Sequence, residues 1–179
     1  GLSACGSFSG KVRHISIAST YGADVFYGDF VKLVNTGTIE KDTGTTAMTP
    51  VGIFMGCFYT DPTTSQPTWN QMWPTGTVAT DAMAFVLDDP DAVFRMQANA
   101  SLAQTTLGNN IAVTQTSGST TIMRSKNSVT ASSAATTNTL PLRILEFVNG
   151  PDSVVGDAYT DVLLTYVAGM HQYRTALGV

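Results

Sequence analysis

Charged side chains are scarce in this sequence. They make up 12% of its 179 residues, with nine basic residues against thirteen acidic ones. A protein that binds nucleic acid without regard to sequence needs clustered Lys and Arg to displace counterions. The few basic residues here are scattered along the chain. We therefore expect no nucleic-acid partner.

Cysteines and long apolar runs are equally few. Cys5 and Cys57 are the only cysteines; we interpret them as reduced, partly buried thiols, and a disulfide between them stays open. No run reaches the roughly 18 apolar residues that a membrane helix needs. The beginning of the sequence also lacks the basic-then-apolar pattern of a signal peptide. The sequence thus predicts a soluble protein of a reducing cytoplasm, not secreted by the general route and without a membrane partner.

Patterns typical of catalysis or metal binding are missing as well. His14 lies in an alternating run and His171 near the end of the chain, and no nucleophile-elbow sequence accompanies either. Asp88, Asp89 and Asp91 are the best metal candidates, because neighbouring carboxylates attract a hard cation such as calcium. Asp-Pro-Asp is also ordinary turn sequence, and we favour the turn. We expect no enzyme, no cofactor and no bound metal.

Short runs with a period of two fill much of the chain. Threonine is abundant, and its β-branched side chain suits a pleated surface. Residues 27–34 predict a half-buried strand, residues 38–41 a short one, and residues 51–59 a strand that is apolar on both faces. Further strands are predicted at 11–18, 77–87, 93–98, 111–114, 140–148 and 158–167, with thin edge strands at 121–123 and 128–130.

This pattern predicts one all-β domain, a small antiparallel β-barrel or sandwich with one short helix and extended arms and loops. The helix is expected over 101–107, where Ser101 and Gln104 have capping-box spacing and Gly108 follows. We divide the chain into an N-terminal arm (1–10), the β domain (11–167) and a C-terminal tail (168–179). The β domain includes a loop insertion at 60–75 and a Thr/Ser-rich segment at 115–139.

Four apolar residues are candidates for contact with other proteins. Trp69 and Trp73 lie in the proline-rich insertion, which we expect to leave the sheet, and tryptophan is enriched at interfaces. The alternative is that both tryptophans cap one end of the core. Leu2 and Phe8 are the apolar residues of an otherwise small-residue arm, and we expect them to be buried only against a neighbouring subunit.

Four segments carry a family resemblance: GDFVKL at residues 28–33, PVGIF at 50–54, LPLRIL at 140–145 and DAYTDVL at 157–163. In these segments and in their order, the sequence resembles the small decoration, or cement, proteins encoded beside the major capsid protein in tailed bacteriophages. The resemblance spans residues 28–163. It implies a β-rich domain bound to the outside of a capsid shell, commonly as a trimer at three-fold positions, with no catalytic residues.

The implied partners are therefore the major capsid protein and further copies of this chain in a homotrimer. The implied location is the virion exterior, after synthesis in the host cytoplasm. Two other interpretations stay open. One is another virion β-module, such as a tail or receptor-binding barrel. The other is a ligand-binding or enzymatic β-barrel, which would need convergent polar groups in a cavity.

Overall fold

The structure is a computed structural model, and it describes residues 3–4 and 11–179. Strands make up 38% and short helices 5% of the chain, and no described helix has seven residues or more. The strands are, in chain order, β1 Ser3–Ala4, β2 Val12–Ser16, β3 Val25–Phe26, β4 Phe30–Leu33, β5 Ile39–Lys41, β6 Gly52–Thr60, β7 Pro67–Asn70, β8 Met72–Trp73, β9 Met83–Leu87, β10 Phe94–Gln97, β11 Asn110–Ile111, β12 Val113–Thr114, β13 Ser128–Val129, β14 Leu142–Phe147 and β15 Asp161–Tyr166.

The strands form two larger sheets and two small ones. The five-stranded sheet has the order β1-β10-β15-β14-β11, and the six-stranded sheet has the order β2-β9-β6-β4-β5 with β7 paired to β6. β12 pairs with β13, and β3 pairs with β8. All of these strand pairs are antiparallel. The predicted all-β antiparallel class is confirmed, whereas no sheet closes into a barrel within the described residues.

Two apolar cores lie on opposite faces of the six-stranded sheet, and β6 contributes to both. Ile53 belongs to the first core, which it shares with residues of the five-stranded sheet such as Phe94 and Leu164. Its neighbour Phe54 belongs to the second core, together with Trp73. Successive side chains of a strand point to opposite faces. A strand between two cores must therefore be apolar throughout, as predicted for residues 51–59.

The two glycines of β6 permit this packing. A Cβ on Gly52 would stand 2.2 Å from the backbone oxygen of Leu87 in β9. Gly56 has φ +125° and lies where the register between β6 and β9 shifts. Such a shift is a β-bulge or a similar irregularity, at which a strand bends. Close backbone approach at Gly52 and a bend at Gly56 thus let β6 pack against β9.

The helix predicted over 101–107 is wrong in extent and in its cap. A single 3-10 turn spans Gln104–Thr106, and no side chain caps it. The Ser101 hydroxyl instead donates to the Gly156 carbonyl oxygen at 2.8 Å. The next residue, Leu102, is fixed by a second tertiary bond, in which its backbone N donates to Thr160 Oγ1 at 3.1 Å. These tertiary bonds keep the first residues extended, so only one turn forms.

Two further segments differ from prediction. Residues 121–123 form a turn between Ser119 and Arg124, not an edge strand, and Met123 has φ +54°. The insertion at 60–75 does not leave the sheet: β7 pairs with β6, and β8 pairs with β3. Proline is tolerated at the first position of an edge strand. Pro67 occupies that position in β7, which explains why a proline-rich sequence still forms a strand.

The C-terminal tail folds back onto the six-stranded sheet beside the end of β4. The Gln172 side chain accepts from Leu33 N at 2.7 Å and donates to Leu33 O at 2.9 Å, as a neighbouring strand would. Its backbone N donates to Pro50 O at 2.9 Å. Tyr173 Oη donates to Asp88 at 3.0 Å. The tail is thus fixed on the six-stranded sheet by side-chain as well as backbone bonds.

Candidate interaction surface

The two tryptophans of the 60–75 segment have opposite environments. Trp73 is 0% exposed and packs edge-on against Tyr59, with ring centroids 5.5 Å apart. Its Nε1 donates to Tyr21 O at 3.4 Å. Trp73 therefore belongs to the core, as the alternative interpretation held, and is not a surface contact. Trp69 is 70% exposed and is the surviving candidate.

Trp69 is part of a row of rings on the outside of the six-stranded sheet. Its ring stacks on Phe85 at 5.1 Å with an angle of 6°, and it lies 4.9 Å from Phe58. His14 contacts the same Phe85 edge-on at 4.7 Å. His14 is paired with Phe85, and Phe58 with Trp69, across neighbouring strands. Paired side chains share one face of a sheet. We call these four residues the aromatic row.

The aromatic row continues a face whose other end is buried. Met83, Phe85 and Leu87 alternate along β9 and therefore share one face. Leu87 is buried in the first core, Phe85 is half-buried, and Met83 is 37% exposed. The first core thus covers only the Leu87 end of this face. An apolar face that extends beyond its core is typical of a surface that meets another protein.

A shallow groove of about 210 Å³ runs beside Trp69. Its wall includes Met55 and Phe85, and its polar side is formed by the amide residues Asn70 and Gln71. Among the residues that the structure describes, none that lines this groove is charged. An apolar centre with a neutral polar edge matches the composition of protein interfaces, in which charges are depleted.

The other predicted contact residues cannot be placed in the same way. Leu2 and Phe8 lie outside the described residues, so their burial against a neighbouring subunit stays a prediction. Cys5 also lies outside them. The described part of the arm, Ser3–Ala4, pairs with Arg95 and Phe94 at the edge of the five-stranded sheet.

The three aspartates proposed as metal candidates are directed to different partners. Asp88 is buried and forms an ion pair with Arg13. Asp91 pairs with Arg174 at 2.7 Å, and its backbone N donates to the Asp89 carboxylate at 2.9 Å. Within the described residues no three His, Cys, Asp or Glu side chains are grouped to hold a metal ion. The contacts of this segment are those of a turn linked to the tail.

Beside this turn the tail buries a polar cluster that sequence patterns did not reveal. Tyr166 Oη, His171 Nε2 and Asp88 Oδ1 are buried without a hydrogen-bond partner in the described part of the chain. The His171 and Tyr166 rings meet edge-on at 4.9 Å. Burial lowers the pKa of His171, although the Val51 backbone and Asp88 act in the opposite direction. Val51 is close but makes no hydrogen bond of normal geometry. His171 is therefore a neutral core residue near pH 7.

Cys57 is a free thiol on the second core. Its Sγ donates to Met72 O at 3.4 Å. Burial raises the pKa of the Cys57 thiol to about 12. Because the thiolate is the reactive form, this cysteine is inert in the folded protein. The finding agrees with the interpretation of Cys57 as a reduced, buried thiol.

No described helix is long and apolar enough to cross a membrane.

Comparison with known proteins adds no relative: no protein-family model, no curated protein and no solved structure matches this chain.

Proposed function

We propose that this chain is a non-enzymatic structural virion protein that binds the outside of a tailed-phage capsid shell and stabilises it. In this proposal the two larger sheets act as a rigid, sandwich-like unit around their shared core. The four segments that resemble decoration proteins support it. The observation that carries it is the aromatic row, an apolar face that the core does not cover within the described residues.

The aromatic row would supply the apolar centre of the contact with the major capsid protein. A large aromatic side chain carries about 150–250 Å² of surface, and burying its exposed part contributes roughly 2–4 kcal/mol before association costs. Such a contact is weak for one subunit. Repeated around a shell, it resists the separation of many capsid subunits at once, which suits a stabilising protein.

The uncharged groove beside the aromatic row favours a permanent contact over one that depends on long-range electrostatic attraction. Interfaces that depend on charge complementarity weaken as salt rises. The groove beside Trp69 is lined without charge, so attachment should change little between low and physiological salt.

Three-fold positions on a shell would hold the chain as a homotrimer, with no cofactor required.

Decoration of bare shells tests the proposal. Shells assembled from the accompanying major capsid protein, without this chain, would be mixed with the purified chain, pelleted and imaged by cryo-electron microscopy. We expect density at regular outer positions, with the six-stranded sheet facing the shell or a neighbouring copy. Absence of binding to shells would contradict the proposal. Antibody labelling of intact virions that marks only the tail would support the tail-module alternative instead.

A further inference from the structure

A buried carboxylate joins two distant segments of the chain. Asp29 is 0% exposed and stands just before β4. Its Oδ2 accepts from Phe26 N at 3.0 Å and lies 2.7 Å from Lys41 Nζ. Lys41 is the last residue of β5, and its side chain is only 13% exposed. An amine is thus held against a carboxylate inside the protein.

The other oxygen of the same carboxylate faces a carboxamide. Asn127 is 2% exposed, and its Nδ2 donates to Asp29 Oδ1 at 3.3 Å across a separation of 98 residues. The Asn127 carbonyl oxygen Oδ1 accepts from Thr116 N at 2.9 Å. That bond draws electron density from the amide carbon. It is also placed to stabilise negative charge on Oδ1, as the donors of an oxyanion hole do.

We propose that Lys41 and Asn127 become joined by an intramolecular isopeptide bond, with Asp29 as the general acid and base. The three residues supply the parts that such a reaction needs. Lys41 Nζ is the nucleophile, the Asn127 side-chain carbon is the electrophile, and the Asp29 carboxylate contacts both partners. This proposal does not depend on the proposed function.

The step balances without an added reagent. Asp29 takes one proton from the Lys41 ammonium, and the neutral Nζ attacks the Asn127 Cγ. The Nζ–Cγ bond forms while the Thr116 N–H stabilises the charge on Oδ1, and the Cγ–Nδ2 bond then breaks. Of the three Nζ protons, one stays on the new amide and one joins the two on Nδ2, which leaves as ammonia. The last remains on Asp29 until ammonia carries it away as ammonium.

The surroundings of Lys41 hold its amine beside the Asp29 carboxylate. The Phe26 ring lies beside the amine, with Nζ 5.6 Å from its centroid. Gly118 lets the ring sit there, because a Cβ on Gly118 would stand 2.3 Å from a Phe26 ring carbon. A cavity of about 420 Å³ lined by Lys41, Phe26 and Thr116 offers ammonia a way out.

The bond would tie the Thr/Ser-rich segment to the edge of the six-stranded sheet. β5 is the last strand of that sheet, and Asn127 directly precedes β13. A covalent link between residues so far apart in sequence restricts the unfolded chain, as a disulfide does. Unlike a disulfide, it would persist in a reducing cytoplasm.

Mass spectrometry of the purified, aged protein tests the proposal. We expect an intact mass lower than that of the sequence by one ammonia, and a branched peptide linking Lys41 to Asn127 after proteolysis. Lys41→Arg keeps the positive charge beside Asp29 but lacks the nucleophile, so this variant should have the full mass. Lys32→Arg in the neighbouring strand is the matched control and should still lose ammonia.

Three results would overturn the proposal. One is a full-mass protein whose Lys41 and Asn127 peptides are recovered separately. A second is a loss of ammonia that is located in the Asn127 peptide and persists in Lys41→Arg, since this indicates a cyclic imide at Asn127 and no link to the lysine. A third is a loss of water with Lys41 joined to Asp29, which would make Asp29 the acceptor. All three are read from peptide masses, so none requires a variant at Asp29 to fold.

Discussion

Trp69 and Trp73 stand four positions apart and have opposite environments. Trp73 is sealed in the second core, whereas Trp69 lies on the open end of the opposite face of the six-stranded sheet. The difference comes from their strand partners: β8 pairs with the short β3, and β7 pairs with the outer end of β6. Residue type alone therefore does not separate a core anchor from a contact residue. The environment of a tryptophan depends on which strand its own strand pairs with and on how far the core extends along that face of the sheet.

Replacing Gly52 by alanine should have the largest effect, because β6 supports both environments. The new Cβ would stand 2.2 Å from the Leu87 backbone oxygen and 2.9 Å from a Val86 methyl. A backbone atom cannot relieve the clash by a change of rotamer, as the end of a flexible side chain can. We expect loss of most folded protein, measured as soluble yield and by circular dichroism. Gly22→Ala is the control, because no atom of the described residues lies within 4 Å of a Cβ there; equal behaviour of the two variants would contradict the close packing of β6 and β9.

Removing the buried tryptophan should come next. Trp73→Ala deletes a fully buried ring and leaves a cavity beside Tyr59, and such changes cost about 3–5 kcal/mol of unfolding free energy. Urea denaturation followed by circular dichroism measures the loss. A loss below about 1 kcal/mol would mean that Trp73 is not in the core and that the comparison with Trp69 fails.

Acidification should weaken the packing of the tail, in which the His171 ring lies against Tyr166. The folded-state pKa of His171 lies below its ordinary value of about 6.5, mainly because the ring is buried. The unfolded chain therefore binds a proton first as the pH falls. Stability is full above about pH 6.5 and decreases below it, down to the folded-state pKa. The melting temperature should be lower at pH 5.5 than at pH 7.5. This difference should be smaller in His171→Asn and unchanged in His14→Asn, whose position is exposed. An identical decrease in both variants would assign the effect to other groups.

Removing the exposed tryptophan should have the smallest effect on stability. Trp69→Ala deletes a ring that is 70% exposed, so the remaining contacts with Phe58 and Phe85 should cost at most about 1 kcal/mol. Urea denaturation of this variant beside Trp73→Ala gives the comparison directly. If Trp69→Ala were the more destabilising of the two, the aromatic row would be a structural core and not a surface.

Sequence patterns predict those parts of this fold that depend on local alternation. The run Phe94-Arg95-Met96-Gln97 alternates buried and exposed positions, and β10 forms there as expected. The continuous apolar run of β6 likewise predicts cover on both faces. Local signals failed where a distant partner decides. Ser101 has a capping position in sequence, but it bonds to Gly156 instead.

The candidate sites were harder to predict for the same reason. The sequence places two tryptophans in one segment, yet only strand pairing separates Trp69 from Trp73. The polar cluster around His171 needs the tail to fold back, which no period encodes. Asp29 and Asn127 are brought together across 98 residues. Neither Gly28-Asp29 nor Asn127-Ser128 has a sequence pattern that predicts a site shared with Lys41.

Shell binding by Trp69→Ala measures most directly whether the aromatic row is the contact surface. Leu145→Ala is the matched control, because Leu145 is also exposed but lies on β14 of the other sheet. In co-sedimentation with bare shells, we expect Trp69→Ala to bind at least about tenfold more weakly than the unmodified chain, equivalent to about 1.4 kcal/mol. Leu145→Ala should bind as the unmodified chain does. Unchanged binding by Trp69→Ala, with folding intact, would contradict the assignment of this surface.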